Sequence, residues 1–185
     1  MNTLFLSREI DYNGAQLVSG WIRNEAGLEG DAAVAFLGPC DVSPEHMVDT
    51  VDLDAGATIV SPLMLHFIVE HANVDLLAIT LRQRLLIAIA AEIIESHLGE
   101  VLIRREGDDL YLRDRKLSVS VATTSPKTGL IHAGFNVRGD GAPVPAVGLD
   151  ELGVEPKVFA ELLLSAYAAE IAGASDAASK VKPVA

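Results

Sequence analysis

The chain has 185 residues, of which half are hydrophobic, and a formal net charge of -12. This length suits one domain with a sizeable core. A surface of that sign repels phosphate backbones, and no basic stripe with interleaved aromatic residues stands out. Composition therefore excludes nucleic acid as the expected partner.

Nothing in the sequence predicts a membrane protein. The longest apolar run, residues 85–94, is interrupted by Glu92 and follows a basic segment at 82–84, so it is too short and too charged to span a bilayer. The start, MNTLFLSREI, has neither a basic leader nor a long apolar stretch. The single cysteine, Cys40, cannot form an internal disulfide, which fits a reducing compartment. We therefore expect a soluble, cytoplasmic protein.

The N-terminal half predicts alternating strands and helices. A strand is predicted over residues 3–12, a helix over 15–25 and a buried strand over 31–37, broken by Gly38-Pro39. Two pairs, Ser43-Pro44 and Ser61-Pro62, combine a capping serine with a first-turn proline, so helices are predicted to begin there, the second reaching about Ala72. Leucine and isoleucine spacing over residues 75–98 predicts a long, largely buried helix ended by Gly99.

Acidic residues crowd into the segment 41–54, and His66, Glu70 and His71 follow on the predicted second helix. Carboxylates at loop spacing can hold Mg²⁺, and histidine with glutamate can hold zinc or iron. His66 and Glu70 would share a helical face, but His71 would turn away from it, and the spacing matches no recognised metal motif. A solvated acidic surface is the favoured interpretation and no metal ligand is assigned. A metal-dependent hydrolase that uses this cluster with His66 and Glu70 stays open as an alternative.

The most regular pattern lies in the segment 107–137. After a strand at 100–105, strands are predicted over residues 109–112, 116–123 and 129–137, joined as an antiparallel meander with a turn at 113–115. Alternation divides the middle strand into an apolar face and a small, polar face. The apolar face carries Leu117, Val119 and Val121, and the polar face carries Lys116, Ser118, Ser120 and Ala122.

The polar face of that strand is a candidate ligand site. Small side chains let a ligand approach the backbone, and Lys116 at the edge could meet a carboxylate or a phosphate. A solvated polar face is the plain alternative. On the third strand His132, Gly134 and Asn136 share one face, so His132 could line the same pocket as Lys116. A half-buried structural histidine is the alternative there.

The C-terminal part predicts a loop over 139–145, a short strand over 146–152 and a helix over 155–171. Beyond residue 173 the composition is small and polar without periodicity. We therefore expect a single domain over residues 1–173 and a flexible tail over 174–185.

Two runs carry a family resemblance: DDLYLRDRKLSVSVAT at 108–123 and IHAGFNV at 131–137. They resemble the centre of the catalytic domain of biotin protein ligases and lipoate ligases. There an Asn-Asp-Leu-Tyr-Leu strand turns into an Arg-Lys-Leu strand and is followed by a strand that ends in Asn-Val. The related octanoyltransferases share the lysine strand. Through SREIDY, GPCDV, MVD, QRLL and KLSVSVA the whole chain also resembles a largely archaeal family described as a domain of unknown function, number 366.

The resemblance implies a fold and a chemistry. The fold is α/β (α+β) of the biotin/lipoate ligase, class II synthetase-like type: a mixed, mainly antiparallel sheet with helices packed chiefly on one face. The chemistry is that of an acyl-adenylate-forming ligase or an acyltransferase acting on a small carboxylic acid. ATP and Mg²⁺ would be its cofactors, and an acyl-acceptor protein its partner. A homodimer is left open.

The same resemblance assigns roles to residues. Lys116 would bridge the carboxylate and the α-phosphate, and Asp109 would orient the adenylate or the incoming amine. Asn136 could donate to a phosphate, and Gly134 would let the ligand come close. His132 could serve as a base or a donor.

Further ligand-binding candidates are Asp108, Ser118 and Arg105. In an octanoyltransferase-like alternative Cys40 would act as the nucleophile, although its position differs from theirs and most lone cysteines are small buried hydrophobes.

Arg105 stands where the ligases have a lysine. Three further departures from the ligase pattern oppose ATP chemistry: Asp108 stands for an asparagine, Val119 stands for a glycine, and the Gly-Arg-rich loop that covers the adenylate has no counterpart. The additional negative charge of Asp108 would oppose a phosphate unless a metal ion lies between them. The alternative function is therefore a non-catalytic domain that binds a small ligand or a partner on the same scaffold.

Overall fold

The computed structural model describes residues 1–184, which form eight strands, four α-helices and one short 3₁₀ helix. The strands are β1 (Asn2–Phe5), β2 (Ala32–Val42), β3 (Ile59–Ala72), β4 (Ile103–Glu106), β5 (Asp109–Leu112), β6 (Arg115–Lys116), β7 (Ser118–Thr124) and β8 (Thr128–Asn136). The helices are α1 (Trp21–Ala26), α2 (Thr50–Asp54), α3 (Leu76–Leu98) and α4 (Pro156–Ser179), with the 3₁₀ helix at Pro44–His46.

The main sheet has five strands in the order β1-β2-β3-β8-β7. Only its β1–β2 pair is parallel, and the other three pairs are antiparallel. A second, three-stranded antiparallel sheet has the order β4-β5-β6. The long helices α3 and α4 pack on one face of the main sheet, whereas the short α1 contacts β2 and β3. The predicted mixed, mainly antiparallel sheet with packed helices is confirmed.

The core lies between the main sheet and the two long helices. Phe67 of β3 and Phe135 of β8 meet edge to face with ring centroids 5.7 Å apart, and Phe159 of α4 lies 5.2 Å from Phe135. All three rings are fully buried. Leu86 and Ile87 of α3 extend the same cluster. Apolar burial on this face is the main source of stability.

Helix α3 forms where the sequence predicts it. The Asp75 carboxylate accepts the Ala78 amide hydrogen at 2.7 Å and caps the first turn, and Gly99 ends the helix with φ of 72°. A positive φ suits glycine because it has no Cβ.

The helix predicted from Ser61-Pro62 is wrong, because residues 59–72 form the central strand β3. A β-branched and aromatic run pairs well in a sheet, and this preference outweighs the helix-start signal. Pro62 fits because β3 pairs with β8 only from Met64 onward, and β2 has a register shift between Gly38 and Cys40 opposite it. Because β2 accommodates this register shift, Gly38-Pro39 does not break the strand but forms an irregularity within it.

The middle strand of the predicted meander is divided between the two sheets. Lys116 ends β6 in the small sheet, and β7 in the main sheet begins at Ser118. Val119 pairs with Gly134 and Val121 with His132, so the two valines lie on the face opposite α3 and α4. The polar and apolar faces of this strand therefore have the reverse of the expected orientation. Alternation along one strand shows which residues share a face, but not which face meets the core.

Other boundaries also differ. The first strand ends at Phe5, α1 spans only Trp21–Ala26, and the helix expected after Ser43 is a single 3₁₀ turn. The strand predicted over 146–152 is reduced to a bridge between Ala146 and Lys116.

Helix α4 continues to Ser179, so part of the predicted tail is helical. By length and composition alone α4 could cross a membrane. However, Phe159, Leu163 and Tyr167 on this helix are buried in the core.

Candidate functional site

A pocket of about 390 Å³ opens on the face of the main sheet that α3 and α4 do not cover. Its floor is made by sheet residues, one wall by the segment 42–61, which includes the 3₁₀ helix and α2, and another wall by residues 142–146. The start of β5 and the end of β6 close the remaining side. The polar side chains that line it include Tyr12, Asp52, Asp109, Lys116, His132 and Asn136.

Lys116 and Asp109 form an ion pair at the side of this pocket. Lys116 Nζ lies 2.7 Å from Asp109 Oδ2, and the side chains are 27% and 23% exposed. The tight β5–β6 turn, in which Arg113 has φ of 57°, brings the two strands together and pairs Tyr111 with Lys116. The backbone of Lys116 is fixed because its carbonyl accepts from Asn136 Nδ2 at 3.2 Å.

Burial and charge act in opposite senses on this pair. Burial alone would lower the pKa of Lys116, but the hydrogen bond and negative charge of Asp109 outweigh it and raise that pKa. Burial raises the pKa of Asp109, because the attraction of Lys116 offsets only part of the desolvation. Lys116 is therefore kept as an ammonium, the form that an anion-binding role requires.

Asp108 is held by side chains that sequence reasoning left off the site. Gln83 Nε2 of α3 donates to Asp108 Oδ2 and to Ser120 Oγ, both at 2.8 Å, and Arg84 Nη2 lies 3.5 Å from Asp108 Oδ1. Ser120 in turn donates to the Asp108 carbonyl at 2.9 Å. Because an arginine accompanies the carboxylate, its negative charge is partly compensated. In the sequence, the basic segment 82–84 was the signal that could have indicated these contacts to Asp108.

A buried aromatic cluster forms the floor of the pocket. His66 Nδ1 lies 3.1 Å from His132 Nε2, and His66 Nε2 lies 3.2 Å from the Gly38 carbonyl oxygen. The Tyr12 ring stacks on His132 with centroids 3.8 Å apart and planes 10° apart. Burial lowers the pKa of His66 to about 4, and burial with the neighbouring His66 holds the pKa of His132 well below its ordinary value.

Tyr12 was not predicted as a site residue, and His66 was considered only as a metal ligand in the hydrolase alternative, because both reach this cluster through long-range contacts. Tyr12 arrives through an isolated bridge to Cys40, and His66 through β3, which the sequence predicted as a helix.

Several predicted site residues lie outside the pocket. Ser118 is fully buried and its hydroxyl accepts the Leu110 amide hydrogen at 3.0 Å. The exposed Arg105 donates to the Gly107 carbonyl at 2.7 Å. Gly134 lies under Met64, since a Cβ there would approach Met64 Cε to 2.7 Å, so it makes room for a protein side chain.

Cys40 does not have the environment of a nucleophile. It is buried, and its thiol donates to the Ile59 carbonyl at 3.8 Å. Burial, followed by the charge of Asp41, raises the pKa of this thiol to about 12. Reactive cysteines instead need a lowered pKa and an accessible thiolate. The structure therefore opposes the nucleophile prediction.

The structure does not gather the acidic cluster with His66 and Glu70. Glu70 accepts the amide hydrogens of Gly20 at 3.0 Å and Ile22 at 3.1 Å and so fixes the start of α1. His71 bonds Asp31 at 2.9 Å. Within residues 1–184 no group of three or more His, Cys, Asp or Glu side chains is placed to hold a metal ion. The hydrolase alternative loses its ligand set.

Acidic groups predominate around the pocket. Four aspartates, Asp49, Asp52, Asp108 and Asp109, line it, against the single lysine Lys116. A ligand with several phosphates would be repelled there unless a cation such as Mg²⁺ lay between them. A single carboxylate carries less negative charge, and Lys116 can pair with it directly.

Comparison with known structures defines the class of this fold. Lipoate-protein ligase A bound with ATP matches with a TM-score of 0.56 at 14% identity, over 92% of this chain and 86% of that one. Biotin protein ligase from Aquifex aeolicus in complex with biotin and ATP matches with a TM-score of 0.56 at 14% identity, over 90% of this chain and 68% of that one. The chain has the biotin/lipoate ligase fold.

The family follows from closer relatives. The model described as "Domain of unknown function (DUF366)" matches residues 1–182, and the chain belongs to this family. The uncharacterized protein MJ0805 of Methanocaldococcus jannaschii is 38% identical over 179 residues, which is 92% of this chain and 80% of that protein. A protein of unknown function from Pyrococcus horikoshi superposes with a TM-score of 0.94 at 39% identity, covering 100% of this chain and 99% of that one.

Proposed function

We propose that this protein binds a small carboxylic acid in the pocket, with the carboxylate at Lys116, and that it acts as an acyl-adenylate-forming ligase or an acyltransferase. The observation that carries the proposal is the Lys116–Asp109 pair, whose 2.7 Å contact places a charged ammonium on the wall of a pocket of about 390 Å³. The fold is shared with ligases whose structures contain biotin or ATP.

The residues at the pocket divide the work as follows. Lys116 binds the carboxylate and stabilises the charge that develops when it is activated. Asp109 holds the Lys116 ammonium in place through their ion pair and accepts from an incoming amine. Asn136, whose amide already donates to the Lys116 carbonyl, fixes the strand that carries the lysine. His132 at the floor positions the far end of the ligand.

ATP would supply the adenylate that activates the carboxylate. The acidic lining would admit ATP only with Mg²⁺, which the phosphates and one of the pocket aspartates, such as Asp52, would hold. An acyl-acceptor protein would take up the product, and the work would take place in the cytoplasm. A homodimer is compatible with these roles.

The second candidate is a domain of the same fold that binds a carboxylic acid without activating it. Val119 lines the pocket at the position where the biotin and lipoate ligases have a glycine. This larger side chain narrows the space for an adenylate and so favours the second candidate. The acidic lining favours it as well. Binding of an acid without turnover would distinguish this candidate from the ligase.

The experiment is ATP–pyrophosphate exchange with a panel of biotin, lipoate, octanoate and amino acids, with direct acid binding measured in parallel. Lys116→Ala is the test variant. Lys157→Ala is the matched control, because Lys157 is exposed on α4. Exchange that requires one acid and disappears only in Lys116→Ala would support the ligase. Acid binding without exchange in folded protein would favour the second candidate. The absence of both acid binding and exchange would reject the proposal.

A further inference from the structure

The hydrogen-bond chain at the pocket floor fixes where its protons lie. The Gly38 carbonyl can only accept, so His66 Nε2, 3.2 Å away, carries a hydrogen. Burial keeps His66 neutral near neutral pH, since its pKa falls to about 4, and its Nδ1 therefore has no hydrogen. His132 Nε2, 3.1 Å from that atom, must then be the donor. A neutral His132 with its hydrogen on Nε2 has a bare, accepting Nδ1.

This Nδ1 atom is open to the pocket. His132 is 3% exposed and lines the pocket, and Nδ1 has no hydrogen-bond partner among residues 1–184. In the same part of the chain the buried side-chain atoms without partners are Arg82 Nη1 and Arg84 Nε. His132 Nδ1 is not among them, so the atom is not sealed in the core. Nδ1 can therefore accept a hydrogen bond from a ligand in the pocket.

Tyr12 stands beside that acceptor. It is 3% exposed, its ring stacks on His132 at 3.8 Å, and it too lines the pocket. Burial raises the pKa of Tyr12, so its hydroxyl keeps its proton and can donate or accept. The floor thus combines a fixed acceptor with an adaptable hydroxyl.

We propose that the pocket selects a carboxylic acid that carries a hydrogen-bond donor, a hydroxyl or an amine, at the end remote from the carboxylate, and that this donor binds His132 Nδ1 beside Tyr12. The inference rests on the proposed function, because it takes Lys116 for the carboxylate. An acid without such a donor would cover Nδ1 without giving it a hydrogen-bond partner, and an unpaired buried acceptor reduces the favourable free energy of binding.

The spacing sets the size of the ligand. Asn136, which bonds the Lys116 carbonyl, and His132 are four residues apart on β8. Their backbones are therefore separated by roughly 13 Å along the strand. The side chains of Lys116 and His132 both line the pocket. Acids with a chain of several carbons fit.

The test is calorimetric titration with hexanoate and octanoate and with their terminal hydroxy and amino derivatives. For wild-type protein we expect at least one derivative to bind about tenfold tighter than its parent acid, as one additional hydrogen bond predicts. In His132→Phe, which keeps a ring under Tyr12, this preference should disappear, so that parent acids and derivatives bind alike. Tyr12→Phe should reduce the preference less. Lys116→Ala should weaken all the acids alike.

The outcomes separate the two proposals. Equal binding of parents and derivatives, or a preference that survives His132→Phe, would overturn this inference and leave carboxylate binding at Lys116 intact. Binding of no acid in either series would reject both. A measurement on wild-type protein needs no variant to fold: ¹⁵N NMR of the imidazoles should show His132 protonated at Nε2 and bare at Nδ1. A hydrogen on Nδ1 would overturn the inference by itself.

Discussion

The two faces of the main sheet are built from the same strands but differ in chemistry. On β8, Ile131, Ala133 and Phe135 enter the apolar core beneath α3 and α4. His132 and Asn136, which alternate with them, line the pocket on the other face. The first face buries hydrocarbon and is covered by two long helices. The second is covered by short helices and loops and keeps polar atoms available. The core and the proposed ligand site therefore lie on opposite sides of one strand.

Adjacent residues of β8 allow the strongest test of this division. Phe135→Ala should lower the free energy of unfolding by about 3 to 5 kcal/mol, because it leaves a cavity among buried rings. Asn136→Ala removes one hydrogen bond to the Lys116 carbonyl and should cost about 1 kcal/mol. Urea unfolding followed by circular dichroism would measure both. Equal losses would contradict the division, and acid binding should suffer more in Asn136→Ala.

Acid should affect the pocket face more than the core face. The pKa of His66 falls from 6.5 to about 4 on burial, so between these values the unfolded chain binds a proton that the folded chain does not. The contribution of His66 to the free energy of unfolding is therefore complete above pH 6.5 and is lost as the pH falls towards 4. The loss for His66 alone is about 3 kcal/mol, and His132, whose pKa is also lowered, adds to it.

Urea midpoints at a series of pH values would measure this loss. His132→Phe should flatten the dependence, because one buried imidazole is removed. His71 is an internal reference, since burial lowers its pKa as well and it remains in both proteins. A variant with the same acid dependence as the wild type would show that the His66–His132 pair does not cause it.

Gln83 is the contact through which the helix face supports the pocket. It is 3% exposed, and its amide donates to both Asp108 and Ser120. Gln83→Met keeps the volume but removes both hydrogen bonds, and should cost about 2 kcal/mol because Asp108 loses its buried donor. Gln83→Glu keeps the shape but places two carboxylates together, and should cost more. A smaller loss in Gln83→Glu than in Gln83→Met would contradict the assigned donor role.

The sequence predicted α3 and β5 because these depend on local signals, whereas the family resemblance grouped Lys116, Asp109, His132 and Asn136. A cap, a terminating glycine and a short turn are encoded within a few residues. The family resemblance added the fold, which periodicity alone does not specify. The catalytic roles of Lys116, Asp109, His132 and Asn136 remain predictions.

What the sequence missed depends on contacts between distant residues. The Ser61-Pro62 signal predicts a helix, and only pairing with both β2 and β8 makes the segment a strand. The faces of β7 were reversed because Ser118 finds a buried donor in Leu110, a residue of the small sheet. Tyr12 reaches His132 across more than a hundred residues of chain. A polar side chain does not reveal in sequence whether water or protein will satisfy it.

The smallest expected effect concerns the wall of the pocket. Asp49 Oδ1 accepts the amide hydrogens of Val51 at 2.8 Å and Asp52 at 3.2 Å and caps α2. Asp49→Ala should weaken this cap by about 1 kcal/mol, so that the α2 amides exchange hydrogen about fivefold faster. Global stability should change less, because Val51 and Leu53 on α2 are exposed and bury little apolar surface.

Asp49→Asn separates the two properties of this side chain. Asparagine also caps helices, so amide protection in α2 should be retained while one of the four pocket aspartates loses its charge. If acid binding strengthens in Asp49→Asn but not in Asp49→Ala, the aspartate opposes the carboxylate electrostatically and the ordered wall is needed as well. If both variants bind as the wild type does, α2 contributes neither charge nor order to the site. The pocket would then be defined by the sheet face and Lys116, and the sheet itself would carry both stability and recognition.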